Sequence, residues 1–283
     1  MTTRRMVLRS VALVVATGAL ALGTANAQSL LDTVRTKKEI VIGTEAQFAP
    51  FEVLENGKIV GYGPDLMQHI LAGLPEVKVK QLDVPFQGIL PGLATKRFDF
   101  IVTAVTMTKE RAAKFAFTLP IADATTALVR RKTSAELSTI DKIAGKTVGS
   151  QAGSAQLKAL VEYGAKLKAE GKAAITVREY VSFDEAYADL AAGRLDAVAQ
   201  SMANLATLTK TRADTYALIP GPIGPKTYFA WVGRQDAASA PLVAFFSKGI
   251  ADAQRSGKLA ELQQKWFGFT MDTPVDAVPA PAI

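Results

Sequence analysis

Leu190-Ala191-Ala192-Gly193-Arg194-Leu195-Asp196-Ala197-Val198-Ala199-Gln200 repeats, 97 residues downstream, the pattern of Leu93-Ala94-Thr95-Lys96-Arg97-Phe98-Asp99-Phe100-Ile101-Val102-Thr103. Each stretch reads as the end of a helix, a turn, and a buried strand that finishes on a polar residue. Either copy alone would be an ordinary helix-to-strand unit, and the spacing is too long for a solenoid repeat. Two copies point to two α/β lobes of similar construction. In open α/β sheets ligands sit at the carboxyl ends of the strands. Thr103-Ala104 and Gln200-Ser201 are therefore expected to face one cleft from opposite sides.

The surrounding sequence alternates in the same way. Ile40–Ile42, Thr147–Gly149 and Ile175–Val177 are short apolar runs between turn residues, and Val77–Lys80 alternates with period two, so strands are expected there. Leu66, Ile70 and Leu74 share one helical face, which predicts a helix over Asp65–Leu74 capped by Asp65. Ser182-Phe183-Asp184-Glu185 is a capping box opening a helix over Phe183–Ala192. Further helices are expected over Pro241–Ser256 and Lys258–Phe267. Strands separated by helices imply crossover units, hence mainly parallel sheets with helices on both faces. Pro274–Ile283 has no periodicity and is expected to form a loose tail.

Composition narrows the chemistry. The chain has 283 residues, 49% hydrophobic and 21% charged, enough to bury a substantial core in two lobes. It has no cysteine, which excludes disulfides, thiolate zinc sites, iron–sulfur ligation and cysteine nucleophiles. Its one histidine, His69, lies beside Ile70 and Leu71 on a helix and is expected at or near the surface, so no histidine pair can hold a metal. No cofactor is implied. The net charge of +7 suggests a nucleic-acid binder, but the N-terminus accounts for part of it. Arg4, Arg5 and Arg9 precede the apolar run Ser10–Leu22 and the small-x-small site Ala25-Asn26-Ala27, which reads as an export signal spanning 1–27 and cleaved after Ala27. The run falls short of the ~20 residues of a membrane span. Thr3–Arg9 resembles a twin-arginine motif with Val7 where Phe is preferred, so that route and the general secretory one both stay open. Without the leader the excess is +4, with 30 basic and 26 acidic residues and no basic cluster interleaved with aromatics. Nucleic acid is not an expected partner.

Three segments carry the donors and charges of a binding site. Thr103-Ala104-Val105-Thr106-Met107-Thr108-Lys109-Glu110-Arg111 brings threonines, backbone amides and an arginine together after a strand. That set suits a carboxylate, since one guanidinium binds both oxygens. Taken alone, the threonines would serve equally as helix caps and Arg111 as a surface ion-pair partner. Thr147–Gln156 is a strand, a Gly-containing loop and a helix start, which aims the Ser154 and Ala155 amides at a positive helix end. It carries no nucleotide-binding glycine pattern, and a plain turn is the alternative reading. Gly43–Glu52 offers Glu45 and the ring of Phe48, and Phe86 offers another ring; both rings also suit a core.

These residues in this order resemble a known family. Gly43-Thr44-Glu45…Pro50-Phe51-Glu52, Val60-Gly61-Tyr62…Asp65-Leu66, Thr106…Thr108…Arg111, Asp141–Gly149, Gly193–Ala197 and Trp266-Phe267-Gly268 are similar to the solute-binding proteins of polar amino-acid ABC transporters. The resemblance covers about Glu39–Gly268. It implies a type II periplasmic-binding-protein fold, two α/β lobes joined by a two-stranded hinge with the ligand cleft between them. Lobe one would hold 28–125 and the return segment 222–270, lobe two 126–221, and 271–283 the tail. By the same resemblance Arg111 binds a ligand carboxylate, with Thr106, Ser154 and Ala155 assisting. Phe86 and Phe48 pack on the ligand, and Thr103 and Ala104 lie beside its ammonium. The implied partners are a small carboxylate ligand and a separate membrane permease. The protein is expected to be periplasmic and monomeric.

One departure is informative. Relatives usually carry Asp five residues beyond the Gly-Arg-Leu-Asp aspartate, where it pairs with the ligand ammonium; here that position is Ser201, and no acid lies between Asp196 and Asp214. A serine cannot neutralise a buried cation. Either Glu45 supplies the charge, or the ligand is a cyclic, N-modified or non-amino-acid carboxylate. The rival class is an enzyme. Some relatives are cyclohexadienyl dehydratases acting on prephenate or arogenate through a cleft acid, and Glu45 would be the candidate acid here. A receptor's sensing module would need a span or signalling domain on the same chain, and none is read from this sequence.

Overall fold

The computed structural model describes residues 28–283, so the leader expected over 1–27 lies outside the described residues. Helix α1 (Leu30–Lys37) leads into β1 (Glu39–Thr44) and a small antiparallel sheet of β2 (Gln47–Phe48), β3 (Glu52–Glu55) and β4 (Lys58–Val60). Next come α2 (Tyr62–Leu71), β5 (Lys78–Asp83), α3 (Phe86–Ala94), β6 (Phe100–Thr106), the single turn α4 (Lys109–Ala112) and β7 (Phe115–Asp123). The middle of the chain forms β8 (Thr126–Arg131), β9 (Thr147–Gln151), α5 (Ala155–Ala169), β10 (Thr176–Tyr180), α6 (Phe183–Ala191), β11 (Ala197–Ser201), α7 (Met202–Thr211) and β12 (Tyr216–Ile219). It closes with β13 (Tyr228–Arg234), α8 (Ala240–Arg255) and α9 (Lys258–Phe267).

Two five-stranded sheets result, ordered β5-β1-β6-β13-β7 and β10-β9-β11-β8-β12. In each the first three strands are parallel, and the last two add antiparallel pairs. The antiparallel share was not legible in the strand pattern. β13 pairs with β6 from more than a hundred residues away, and apolar periodicity carries no direction. The repeated sequence has a repeated job. Asp99 Oδ2 accepts from the Val41 amide at 2.9 Å while its own amide donates to Val41 O at 2.8 Å. Asp196 does the same to Thr147, at 2.8 Å in both directions. The turns before them are left-handed, at Lys96 (φ 61°) and Gly193 (φ 77°). Asp99 thus pins β6 beside β1, and Asp196 pins β11 beside β9, the second strand in the order of each sheet. Asp99→Ala and Asp196→Ala are each expected to cost about 1 kcal/mol, because a strand amide loses its acceptor. Urea denaturation checks this, and the two losses should add because they fall in different sheets.

The helix expected behind Asp65 begins earlier, at Tyr62, with Gly61 as its cap residue at φ 135°. A Cβ there would stand 2.3 Å from Phe51 O, so both conformation and space require glycine. Asp65 is used elsewhere. It accepts from Trp266 Nε1 at 2.8 Å and Lys265 Nζ at 2.6 Å, tying α2 to α9. Phe51, Tyr62 and Phe267 stack edge to face behind it, with centroids 4.9–5.8 Å apart. His69 is exposed.

The chain passes from the first sheet to the second between Asp123 and Thr126 and returns between Ile219 and Tyr228. The two crossings are stitched together by Ala124 N–H to Thr227 O (2.9 Å) and Ile223 N–H to Thr126 O (2.8 Å). The tail expected to be loose has no helix or strand, yet it is tied down. Gln254 Nε2 donates to Thr273 O at 2.5 Å, Arg255 meets Asp276 at 3.8 Å, and Lys109 N–H donates to Ile283 O at 2.6 Å. The last bond caps the exposed amide end of α4. Among the described residues no helix is long and apolar enough to cross a membrane, and no group of acids and histidine is arranged to hold a metal.

Candidate functional site

The carboxyl ends of the central strands of both sheets meet in a seam, and side-chain amides lock it. Gln87 Nε2 donates to Ala152 O and Val181 O, both at 3.1 Å. Gln156 Nε2 donates to Thr106 Oγ1 at 3.3 Å, and Asn204 Nδ2 donates to Ala49 O at 2.7 Å. The lobes are therefore closed on one another. Glu45, Phe48, Phe86, Thr103, Ala104, Thr106, Ser154, Ala155 and Ser201 are all buried at or beside this seam.

Arg111 lies on α4, whose first turn is capped by Thr108 accepting from the Arg111 amide at 3.2 Å. Its guanidinium donates to Thr106 O and, across the seam, to Gly153 O, each at 2.9 Å, and sits 5.4 Å from the Phe86 ring centroid. Both acceptors are neutral, so two of its five N–H donors are used and its charge is not neutralised by them. Burial lowers its pKa to about 10, partly offset by Glu110, and it stays cationic at neutral pH. The Ser154 hydroxyl is turned inward as the cap of α5, accepting from Leu157 N–H at 3.0 Å. What it leaves facing outward are the first amides of that helix, at Ala155 and Gln156. Phe86, Arg111, Gly153, Ser154 and Ala155 border one opening of about 800 Å³.

Glu45 follows β1 and is 4% exposed. Gln151, at the end of β9, reaches across and donates to its Oε1. Burial pushes the Glu45 carboxyl up to about 8; the Gln151 bond opposes this, and the charges of Asp83 and Asp184 add to it. Behind it lies a second buried carboxyl. Glu52 accepts from Thr103 Oγ1 at 2.8 Å, and burial holds it well above the usual carboxylate range against that bond, with Glu45 adding to the rise. The Thr103 hydroxyl is thus engaged inside the first lobe, and β6 runs on to Thr106, so Thr103 and Ala104 lie within the strand rather than at the end where the sequence pattern put them.

Ser201 caps α7. Its Oγ accepts from Asn204 N–H at 3.2 Å and donates to Asn204 Oδ1. Beside it Gln200 Oε1 accepts from the Ser201 amide at 2.6 Å, while Gln200 Nε2 is buried without a partner. Gln200 lines a second opening of about 590 Å³, walled by Phe48, Phe183, Tyr187 and Trp266. The ten residues singled out in the sequence are thereby distributed along one seam with an opening on Arg111 and another on Phe48. The sequence reading faced Gln200 to the cleft without giving it a role, and missed Glu52, Gln87, Gln151, Gln156 and Asn204. Gln151 had a signal, being a polar residue that ends an apolar strand; Gln87, Gln156 and Asn204 had none because their partners lie across the seam, and Glu52 had none because Thr103 is 51 positions away.

Residues 40–269 match the sequence family described as bacterial extracellular solute-binding proteins, family 3. The lysine/arginine/ornithine-binding periplasmic protein of Escherichia coli (strain K12) is 30% identical over 250 residues, 86% of this chain and 90% of that protein. The L-cystine-binding protein TcyJ of the same organism is 27% identical over 245 residues, 85% and 87% of the two chains. Among solved structures, an ancestral arginine-binding protein bound to arginine superposes with a TM-score of 0.72 at 27% identity, covering 82% of this chain and 99% of that one. Cationic and neutral ligands both occur in these names.

Proposed function

The chain belongs to the bacterial extracellular solute-binding proteins, family 3, and from that premise we propose that it is the substrate-capturing component of an amino-acid ABC importer. It takes up a small carboxylate, an amino acid or a derivative of one, between two closing lobes and delivers it to a separate membrane permease. The observation that carries this reading is Arg111: a cation at the seam, bonded only to carbonyl oxygens, beside the free amides of α5. A carboxylate there would accept from the unused guanidinium N–H groups and from those amides, and neutralise the charge. Phe86 and Phe48 would flank the rest of the molecule, with Thr103, Ala104 and Thr106 of β6 beside it and Glu45 and Ser201 facing its nitrogen or side chain.

The family is periplasmic or extracellular, and export through the 1–27 leader with action as a monomer completes the proposal. Catalysis is not part of it. The relatives are named as binding proteins, and Glu45, the candidate acid, is held across the seam by Gln151 Nε2 donating to its Oε1. A thermal-shift screen of the mature chain against amino acids, betaine-like compounds and small carboxylates tests the reading. At least one amino acid or derivative is expected to raise the melting temperature by several degrees. Stabilisation by none of them, or turnover of prephenate to an aromatic product, overturns it.

A further inference from the structure

The sequence of 274–283 has no periodicity, yet in the structure burial over 278–283 repeats every second residue. Pro279, Pro281 and Ile283 are half-buried, while Val278, Ala280 and Ala282 are exposed. That is an extended chain with one face against the protein. It belongs to no sheet. Pro279 and Pro281 have no N–H, so lying on the surface outside a sheet leaves no donor unpaired at either position. Their fixed φ also reduces the entropy lost on docking. Residues 40–269 match the family, and this segment lies beyond them.

The segment runs from α8 to α4. Thr273 and Asp276 hold its upstream side to Gln254 and Arg255. Farther on, Pro279–Ala282 border a crevice with Met107, Lys226 and Tyr228. Ile283 borders an opening with Thr126 and Thr227, where the chain crosses between the two sheets. Ile283 O accepts from the Lys109 amide at 2.6 Å, and Ala282 O accepts from Lys109 Nζ at 3.4 Å.

Lys109 opens α4, and Arg111 follows two residues later. A helix of four residues has little stability of its own, because nucleation costs more than one turn returns. Its placement depends on what holds its first amides. Thr108 Oγ1 holds that of Arg111, and Ile283 O holds that of Lys109. From this turn the guanidinium reaches across the seam to Gly153 O. We propose that 277–283 is a strap that positions Arg111, fixing the start of α4 so that the guanidinium is presented to the cleft in one orientation. This rests on the carboxylate reading above for its effect on binding, and adds a positioning element remote from the ligand.

Hydrogen exchange on the mature chain, with and without 277–283, tests the strap directly. The α4 amides are expected to exchange at least about fivefold faster without it, the factor that one lost hydrogen bond gives, while both sheets keep their protection. Binding of L-arginine, L-glutamine or L-cystine, whichever the intact chain takes up, should weaken by a similar factor. Lys109→Pro supplies the control. Proline at the first helical position pre-sets φ and needs no acceptor, and Thr108 before it is already extended, at φ −119° and ψ 155°. Placed in the shortened chain, it should restore most of the α4 protection and of the affinity. Unchanged α4 exchange overturns the strap. So does faster exchange throughout both sheets, unchanged binding with a loosened α4, or no recovery with Lys109→Pro, each of which would make the segment a general brace. The exchange result decides the strap even where the intact chain binds none of the three compounds, an outcome that bears on the carboxylate reading alone.

Discussion

Replacing Arg111 by alanine is expected to abolish ligand-induced thermal stabilisation while the ligand-free protein melts within a few degrees of its original temperature. The contrast follows from what Arg111 touches. Its two bonds go to carbonyl oxygens at the seam, acceptors that water can satisfy once the side chain is gone, and α4 keeps its Thr108 cap. The ligand has no such substitute. A carboxylate drawn into the closed seam without the guanidinium is a buried, unpaired charge, and truncating one partner of such a pair costs about 2–5 kcal/mol, roughly 30-fold to several thousandfold in Kd. Arg111→Lys should recover part of the loss, since it returns the charge without the planar fork. A mutant stabilised by ligand as well as the parent protein removes the carboxylate from Arg111.

Closure of the ligand-free protein is expected to weaken as the pH rises from about 5 to about 8. An open, wetted Glu45 titrates near its ordinary 4.5, whereas in the closed seam burial pushes it up to about 8. Between those values the closed form holds one proton more than the open form, so rising pH draws the equilibrium toward opening. Each pH unit inside the window disfavours closure by up to about 1.4 kcal/mol. Small-angle scattering of the ligand-free chain should therefore show a smaller radius at pH 5 than at pH 8, and Glu45→Gln should flatten the difference. A radius that does not change, or that grows on acidification, eliminates Glu45 as the closing group. The same substitution should weaken a ligand with a cationic side chain more than a neutral one; equal losses would mean that Glu45 meets no positive charge.

The fold was largely legible because its signals are local. Ser182 and Glu185 make their capping bond three residues apart, and α9 spans Lys258–Phe267 as its apolar spacing predicts. The repeated Leu-Ala-x-x-Arg-φ-Asp pattern marked two sheets, and Asp99 and Asp196 play matching parts in them. α2 was misplaced by three residues, since a glycine cap at positive φ gives no side-chain signal and Asp65 looked like the stronger candidate.

The site was legible as residue types more than as contacts. Arg111, Glu45 and Ser201 could be named from the chain and a family resemblance, including the missing acid at Ser201. That Ser154 and Ser201 spend their hydroxyls on helix caps, that Thr103 turns to Glu52, and that Gln151 reaches Glu45 were not.

By itself the sequence determined two α/β lobes, an excess of basic charge with three arginines among the first nine residues, and the residue types that arrive at the seam, Arg111 among them and a serine at position 201. Only the tertiary structure decided which polar groups are spent and which are free. Hydrogen bonds across the seam join residues such as Glu45 and Gln151, 106 positions apart, and burial there moves a carboxyl from 4.5 to about 8. Neither the partner nor the lost water is encoded in any local pattern, because both come into being when the two lobes meet.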